Sequence, residues 1–284
     1  MPGNSVIGQK TAPAKIEKHP RGSCDVMRNE KNYPGEIKII DTTLRDGEQQ
    51  AGIVFSVEDK LRIAQYLDSL NIYQIEAGVP AMGGEEKESV RQIAALGLKS
   101  KISAWNRLNL KDIQHSMDCG VAVIHISVPA SDLQIAHKLK KSREWVKARL
   151  EQCIQFAHNE SYEVTVGFED ATRADLDFLL QLCAVCREKG VKAVRYADTL
   201  GIAVPSKIYE TVRALKEFSG LEIGIHAHND LGMALANSVA ALAAGATFVD
   251  CTLNGIGERA GNCDYYKFAK LLEYRILNRG ELLG

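Results

Sequence analysis

The sequence has no apolar run close to the ~18 residues that a membrane span requires. It also has no excess of one charge sign, since 35 Lys and Arg against 36 Asp and Glu give a net charge of −1. We therefore expect no membrane span and no broad basic surface for nucleic acid or anionic lipid. No apolar segment of the secretory-signal type is present, so we expect a cytoplasmic protein.

Paired cysteine motifs are scarce as well. The seven cysteines form an odd, dispersed set, which is typical of reduced thiols. One CxxC pair, Cys183 and Cys186, lies in an amphipathic helical pattern, where a spacing of three places both thiols on one face. Because there is no second CxxC, we interpret the pair as core packing rather than as a redox or zinc site.

Residues 1–35 differ from the rest of the chain, with six Lys or Arg, three Asp or Glu and few large apolar side chains. We predict a disordered leader over 1–35 and one catalytic domain over 36–284. In that domain, eight β-rich runs alternate with longer helical patterns, which predicts a (β/α)₈ TIM barrel. An open doubly wound sheet is the rival, but no strand is followed by G-x-G-x-x-G. The strand runs are 37–41, 73–78, 101–105, 121–127, 163–170, 192–198, 222–228 and 247–253.

Active sites of such barrels lie at the C-terminal ends of the strands, and polar residues concentrate there in this sequence. A solvated loop face is the alternative for any one of them. All eight strand ends together favour an active site, because buried charges must be paired or bind a metal. The residues at the first seven strand ends are Arg45, Asp46, Glu48, Gln49, Glu76, Trp105, Asn106, Arg107, His125, Ser127, Ser131, Asp132, Glu169, Asp170, Arg173, Arg195, Asp198, Thr199, His226 and His228, and the eighth strand leads into "NGIGERAGN".

The stretch "GIHAHNDLG" ends the seventh predicted strand. Residues two apart in a strand face the same side, so His226 and His228 project together. With Asp46, and Asn262 as a fourth donor, they would form a mixed nitrogen and oxygen site for Mg²⁺, Mn²⁺, Fe²⁺, Co²⁺ or Zn²⁺. The alternative is that the two histidines only form hydrogen bonds in the barrel mouth.

Three motifs in order carry a resemblance: "DTTLRDGEQQAG", "HAHNDLGMALANSVAALAAGA" and "GIGERAGN". They resemble the metal-dependent acyltransferases of the isopropylmalate synthase and homocitrate synthase family, over residues 36–278. The stretches "WNR", "HISVPASDLQIAHKLKKSREWV" and "RYADTLGIAVP" are most similar to the homocitrate synthases of nitrogen-fixation systems.

The resemblance implies a Claisen condensation of acetyl-CoA with a 2-oxo acid, here 2-oxoglutarate, followed by thioester hydrolysis. It implies a divalent ion (Mg²⁺, Mn²⁺ or Zn²⁺) on Asp46, His226 and His228, with Asn262 close by or bound through water. Such an ion orients the oxo acid and polarises its carbonyl. The acceptors 2-oxoisovalerate and pyruvate, used by isopropylmalate and citramalate synthases, remain alternatives.

By the same match, Arg45 would stabilise the alkoxide that forms during attack, a role worth ~3 kcal/mol. Glu169 would handle a proton at the acetyl-CoA methyl or at a water, or else form a salt bridge with Arg173.

The remaining matched residues would contact the substrate. Thr199 would hold its 1-carboxylate, with Gln49 at the same end. Arg107 would meet the distal carboxylate, or else be a solvated loop arginine. Ser131 and His125 would form a side wall.

Members of this family continue past the barrel into helical subdomains that supply a catalytic histidine and tyrosine. We expect a barrel without those subdomains, working as a homodimer, with a partner chain that supplies the missing part, or both. The alternative is a truncated form. Alone, it should bind metal and oxo acid but turn over poorly. The rivals are a lyase or aldolase on the same barrel, against which Glu258 and Arg259 argue, and a non-catalytic subunit.

Overall fold

The computed structural model describes residues 37–277. Eight parallel strands form a closed barrel in which each strand pairs with the next and β8 pairs with β1. The predicted (β/α)₈ TIM barrel is confirmed, whereas the predicted leader lies outside the described residues. The strands are β1 (Lys38–Asp41), β2 (Gln74–Glu76), β3 (Lys101–Arg107), β4 (Val123–Pro129), β5 (Glu163–Glu169), β6 (Ala193–Asp198), β7 (Glu222–Ala227) and β8 (Phe248–Cys251).

One α-helix follows each strand. The first helix begins directly after Ser56, because the Ser56 side chain accepts from the Asp59 N–H and the Asp59 side chain accepts from the Ser56 N–H. No helix within 37–277 is both long and apolar enough to cross a membrane. The helices are α1 (Val57–Ser69), α2 (Gly84–Ala94), α3 (Leu110–Met117), α4 (Arg143–Asn159), α5 (Leu176–Glu188), α6 (Pro205–Ser219), α7 (Ala234–Ala243) and α8 (Tyr265–Leu277).

The main apolar core lies between the strands and the helices. Alternate strand residues such as Ile124 and Phe168 point outward into it and are fully buried. Cys183 and Cys186 are buried in the same layer on α5, in agreement with core packing. Burying this layer is the main favourable term in folding the barrel.

The inside of the barrel is different. Such interiors are usually filled by branched apolar side chains. Here the inward positions of several strands carry buried polar or charged groups, and the highest of them reach the C-terminal ends of the strands. They are Gln74, Glu76, Ser103, His125, Arg195, His226 and Asp250.

Candidate metal centre and active site

Two histidines and one aspartate meet at the C-terminal end of the barrel. His226 lies near the end of β7 and His228 just beyond it, with their Nε2 atoms 3.2 Å apart. Asp46 lies after β1, and its Oδ2 is 3.2 Å from His226 Nε2 and 3.8 Å from His228 Nε2. All three residues are buried, and one ligand atom from each lies within 4.8 Å of the others. The structure thus brings together three of the four predicted metal ligands.

Asn262, the fourth predicted ligand, lies directly beside them. Its Nδ2 donates to Asp46 Oδ1 at 3.2 Å, and its backbone pairs with His228. Its Oδ1 is buried with no hydrogen-bond partner among the described residues. A Cβ atom at Gly257 would lie 2.1 Å from Asn262 Nδ2, so only glycine permits this approach.

Arg45 connects Asp46 to the barrel interior. Its Nη1 is 2.8 Å from Asp46 Oδ2, and its Nε donates to Glu76 Oε1 at 2.6 Å. The other oxygen of Glu76 accepts from Arg195 Nη1 at 3.0 Å. Glu76 therefore fixes the guanidinium of Arg45 from below while Asp46 holds it at the metal cluster.

The same Arg195 nitrogen closes a circuit back to the histidines. Arg195 Nη1 also lies 3.0 Å from Asp250 Oδ2, and that oxygen is 2.9 Å from His226 Nδ1. We call this closed circuit the charge ring, and its members are Arg45, Asp46, Glu76, Arg195, His226 and Asp250.

The charges of the ring favour a bound cation. Three carboxylates face two guanidinium groups, so the ring has one negative charge in excess when His226 is neutral. The contact of Nδ1 with Asp250 leaves Nε2 of His226 as the ligand atom, which is the usual arrangement of a metal-binding histidine. The donor set of two imidazoles, a carboxylate and an amide oxygen suits a divalent ion that accepts nitrogen and oxygen ligands.

The pKa values of the two histidines differ because His226 lies close to two carboxylates, whereas the nearest carboxylate oxygens to His228 are 3.8 Å away. Burial opposes charge on both, but hydrogen bonds that His226 donates to Asp250 and Asp46 raise its pKa to about 9. Burial and the nearby His226 lower the pKa of His228 to about 3. Although burial opposes it, Arg45 and His226 hold the pKa of Asp46 well below its usual range. Two of the ligands, Asp46 and His228, are thus in the form that binds a metal.

Glu169 lies at the end of β5, facing the mouth. Its Oε1 accepts from Lys138 Nζ at 2.7 Å and from Gln134 Nε2 at 3.0 Å. Arg173 instead pairs with Asp170, so the alternative of a salt bridge between Glu169 and Arg173 is wrong. The physical reason is that the guanidinium of Arg173 already donates through two nitrogens to the carboxylate of Asp170.

Thr199 and Ser131 are joined through Asp170. The Asp170 N–H donates to Thr199 Oγ1 at 2.7 Å, and Ser131 Oγ donates to Asp170 Oδ2 at 2.5 Å. Arg259 holds the Thr199 carbonyl at 2.7 Å. Thr199 is half-buried and Ser131 is buried, so the side chain of Thr199 is the more accessible of the two. Their contacts with the substrate stay predictions.

Three other predicted contact residues have side chains with no hydrogen bond or ion pair to Asp46, His226 or His228 within the described structure. Arg107 has a side chain that is 65% exposed and donates through Nε and Nη2 to Asp112, which fits the alternative of a solvated arginine. Gln49 is exposed. His125 lies inside the barrel, bonded to Thr165, where burial and Arg195 keep its pKa well below the usual range.

Sequence reasoning missed Asp250 and the ring that it completes. The signal was available in "TFVDCTL", where Asp250 is two residues from Phe248 and so faces the same side of the strand. A carboxylate on the inward side of a predicted barrel strand indicates either a salt bridge or a site.

The sequence profile of the HMGL-like family matches residues 36–280. The chain belongs to the HMGL-like family. It is similar to known structures of the family's fold, among them a hydroxymethylglutaryl-CoA lyase from Pseudomonas aeruginosa, with a TM-score of 0.76 at 20% identity, over 86% of this chain and 87% of that one. At such low identity the likeness concerns the fold alone.

Curated relatives are much more similar in sequence. The chain is 56% identical to a homocitrate synthase subunit alpha of Clostridium pasteurianum, over 84% of this chain and 88% of that protein. It is 49% identical to 2-isopropylmalate synthase 2 of Caldanaerobacter subterraneus (87% and 64%) and 44% identical to homocitrate synthase 1 of Nostoc (80% and 60%). The chain therefore spans most of the alpha subunit but less than two thirds of the other two relatives.

Proposed function

We propose that this HMGL-like barrel is the catalytic chain of a homocitrate synthase-type acyltransferase, which condenses acetyl-CoA with 2-oxoglutarate and then releases CoA by hydrolysis. The observation that carries the proposal is the convergence of Asp46, His226 and His228 beside the buried guanidinium of Arg45. The names of the relatives support the reaction class, and two of the three are homocitrate synthases.

In this proposal Asp46, His226 and His228 hold a divalent ion, with Asn262 at its side; Mg²⁺, Mn²⁺ and Zn²⁺ are the ions to test. When bound, the ion supplies a chelating centre and a Lewis acid for a 2-oxo acid. Arg45, already fixed between Asp46 and Glu76, places its donors where negative charge develops on the carbonyl oxygen.

We assign proton transfer at the acetyl-CoA methyl or at a water to Glu169, at the end of β5. Thr199 and Gln49 would contact the 1-carboxylate of the oxo acid. Arg107 would bind its distal carboxylate in place of Asp112, and Ser131 would line the side wall. Of these residues, Thr199 lies in a loop that Arg259 already fixes to the loops after β7 and β8.

We further propose that a second polypeptide covers the mouth and completes the site. Large apolar side chains are exposed on five of the loops that surround it, including Val54, which is 88% exposed, and Met82, at 75%. The relative of which this chain covers 88% is named a subunit alpha, whereas the chain covers 64% and 60% of the other two relatives. The other three exposed side chains of this rim are Leu133, Ile202 and Leu231. A homodimer, a nitrogen-fixation context and a cytoplasmic location stay predictions.

The test is free-thiol release from acetyl-CoA with Mn²⁺ and each of 2-oxoglutarate, 2-oxoisovalerate and pyruvate, with and without a candidate partner chain. We expect 2-oxoglutarate to give the highest kcat/KM, and the partner to raise turnover strongly. Faster release with either other acceptor would reassign the substrate. Full turnover by the single chain would refute the need for a partner.

A further inference from the structure

The side chain of Arg195 occupies a special place in the charge ring. One of its nitrogens, Nη1, lies 3.0 Å from Glu76 Oε2 and 3.0 Å from Asp250 Oδ2. Because the two carboxylate oxygens contact the same nitrogen, they are at most about 6 Å apart. All three side chains are buried, so without this cation two carboxylates would face each other in a medium that screens them poorly.

Asp250 depends on few contacts for its orientation. Its Oδ2 is shared by Arg195 Nη1 and His226 Nδ1. Its Oδ1 is buried, and within the described chain it has no hydrogen-bond partner. Two contacts on one oxygen therefore set the carboxylate, and that carboxylate sets the ring of His226 and its tautomer.

We propose that Arg195 is a positioning residue that fixes the metal ligand His226 through Asp250 and the guanidinium of Arg45 through Glu76. This inference rests on the proposed metal-dependent function. It identifies the residue that orients both the metal ligand His226 and the guanidinium of Arg45 in that site. Arg195 itself stays below the mouth and touches neither the metal ligands nor the rim.

The structure also offers a way to reach Arg195 that avoids the active site. A cavity of about 470 Å³ opens at the N-terminal end of the barrel, the end opposite the metal cluster, and its inner wall includes Arg195 and His125. Small side chains at the inward positions, Ala193 and Gly224, leave this space open. Arg195→Ala would extend the cavity up to the Glu76 and Asp250 carboxylates, so a guanidinium ion from solvent could enter from below and replace the lost group.

The experiment measures Mn²⁺ affinity of the full chain by the electron paramagnetic resonance of free Mn²⁺, with no acetyl-CoA or oxo acid present. Arg195→Ala makes the ring more negative, which favours a cation, but it also removes one of the two contacts that orient Asp250 and, through it, His226. We expect the loss of orientation to outweigh the added charge, so Mn²⁺ binding should weaken by about tenfold or more, as loss of a metal ligand's supporting contact typically does. Guanidinium well below denaturing concentrations should restore at least part of this loss. Urea, which has the same shape and no charge, should restore none.

Two variants serve as controls. Lys192→Ala removes an exposed cation from the wall of the same cavity without touching the ring, and it should bind Mn²⁺ as the wild type does. Arg195→Met keeps most of the side-chain volume, and if Arg195→Ala does not fold, it should show the weakened Mn²⁺ binding by itself.

The outcomes separate this inference from the proposed function. A folded Arg195 variant with wild-type Mn²⁺ affinity, or equal rescue by guanidinium and urea, would overturn the positioning role alone. A wild-type chain that binds Mn²⁺ but releases no thiol with any of the three acceptors, even with the partner chain present, would overturn the proposed reaction and leave the role of Arg195 standing. A wild-type chain that binds no Mn²⁺ would overturn both.

Discussion

The two faces of the barrel strands differ in what they contain. Outward positions carry apolar side chains such as Ile124 and Phe168, which pack under the helices, whereas inward positions carry four of the six members of the charge ring. Apolar packing is non-directional and tolerates exchange of similar shapes, but a buried ion network is stable only when every member is paired. Stability therefore depends mainly on the outward face of the strands, and function depends on the inward face.

The largest effect is expected inside the barrel, at His228. His228→Gln should weaken Mn²⁺ binding by more than about 100-fold, because it removes a ligand and not merely its support. Burial and His226 already lower the pKa of His228 to about 3, so its loss removes no charge pair. We expect the metal-free free energy of unfolding, from urea titration, to change by less than about 1 kcal/mol. A large loss of stability would mean that residues on the inner face also stabilise the fold.

The converse change is on the outer face. Phe168→Ala should lower the free energy of unfolding by about 3–5 kcal/mol, since Phe168 is fully buried and a cavity replaces it. The Mn²⁺ affinity of the folded variant should equal that of the wild type. Phe168→Leu is the matched control and should be much milder. Weakened metal binding in a folded Phe168→Ala protein would contradict the separation of the two faces.

Within the inner face, Arg45 should separate catalysis from binding. Arg45→Gln should lower kcat by about 100- to 1000-fold, the typical loss for an oxyanion donor. Mn²⁺ binding should persist, because Asp46 and both histidines remain. Thiol release at saturating 2-oxoglutarate measures the first effect, and manganese titration measures the second. Loss of binding with unchanged kcat would assign Arg45 to the metal site alone.

The smallest effect concerns Asp41, an exception on the outer face. Burial, together with the nearby charge of Asp250, raises the pKa of Asp41 from 3.8 to about 7. Between these values the folded state binds more protons than the unfolded state, so stability falls as pH rises through this window, by up to about 1.4 kcal/mol per pH unit. Asp41→Asn keeps the acceptor for the Thr43 N–H but lacks this loss.

The measurement for Asp41 is the free energy of unfolding of both proteins at a series of pH values from 4 to 8. The variant should gain on the wild type as pH rises and be more stable at pH 8 by about 1 kcal/mol or more. A difference that stays constant with pH would show that Asp41 is ionised in the fold.

The barrel could be predicted from the sequence because each strand run is short, β-rich and bounded by helical patterns. Boundaries were less accurate. The helical pattern "DLGMALANSVAALAAG" begins at Asp230, but α7 begins at Ala234, because the N–H of Gly232, with φ of 70°, donates to the Asn229 carbonyl and forms a turn first. The π-helical turn over Gln134–Leu139, which carries Lys138 to Glu169, has no period that a sequence pattern would reveal.

The site divides in the same way. His226 and His228 could be predicted as a pair because residues two apart in a strand face the same side, and this rule needs only the local sequence. The pairing of Arg45 with Glu76, or of Arg195 with Asp250, depends on which strands close the barrel and in what register. Arg107, the last residue of β3, shows a further limit: several charged residues lie near it in the sequence, and only the folded chain shows that it pairs with Asp112 on α3.

The central claim is that a divalent ion binds between one carboxylate and two imidazoles at the barrel mouth. Pulsed electron paramagnetic resonance of the Mn²⁺-loaded chain tests it most directly, through the coupling of bound Mn²⁺ to imidazole nitrogen. We predict couplings from two histidines, with one lost in His228→Gln. A Mn²⁺-loaded chain without nitrogen coupling, or with couplings that survive removal of both His226 and His228, would contradict the account.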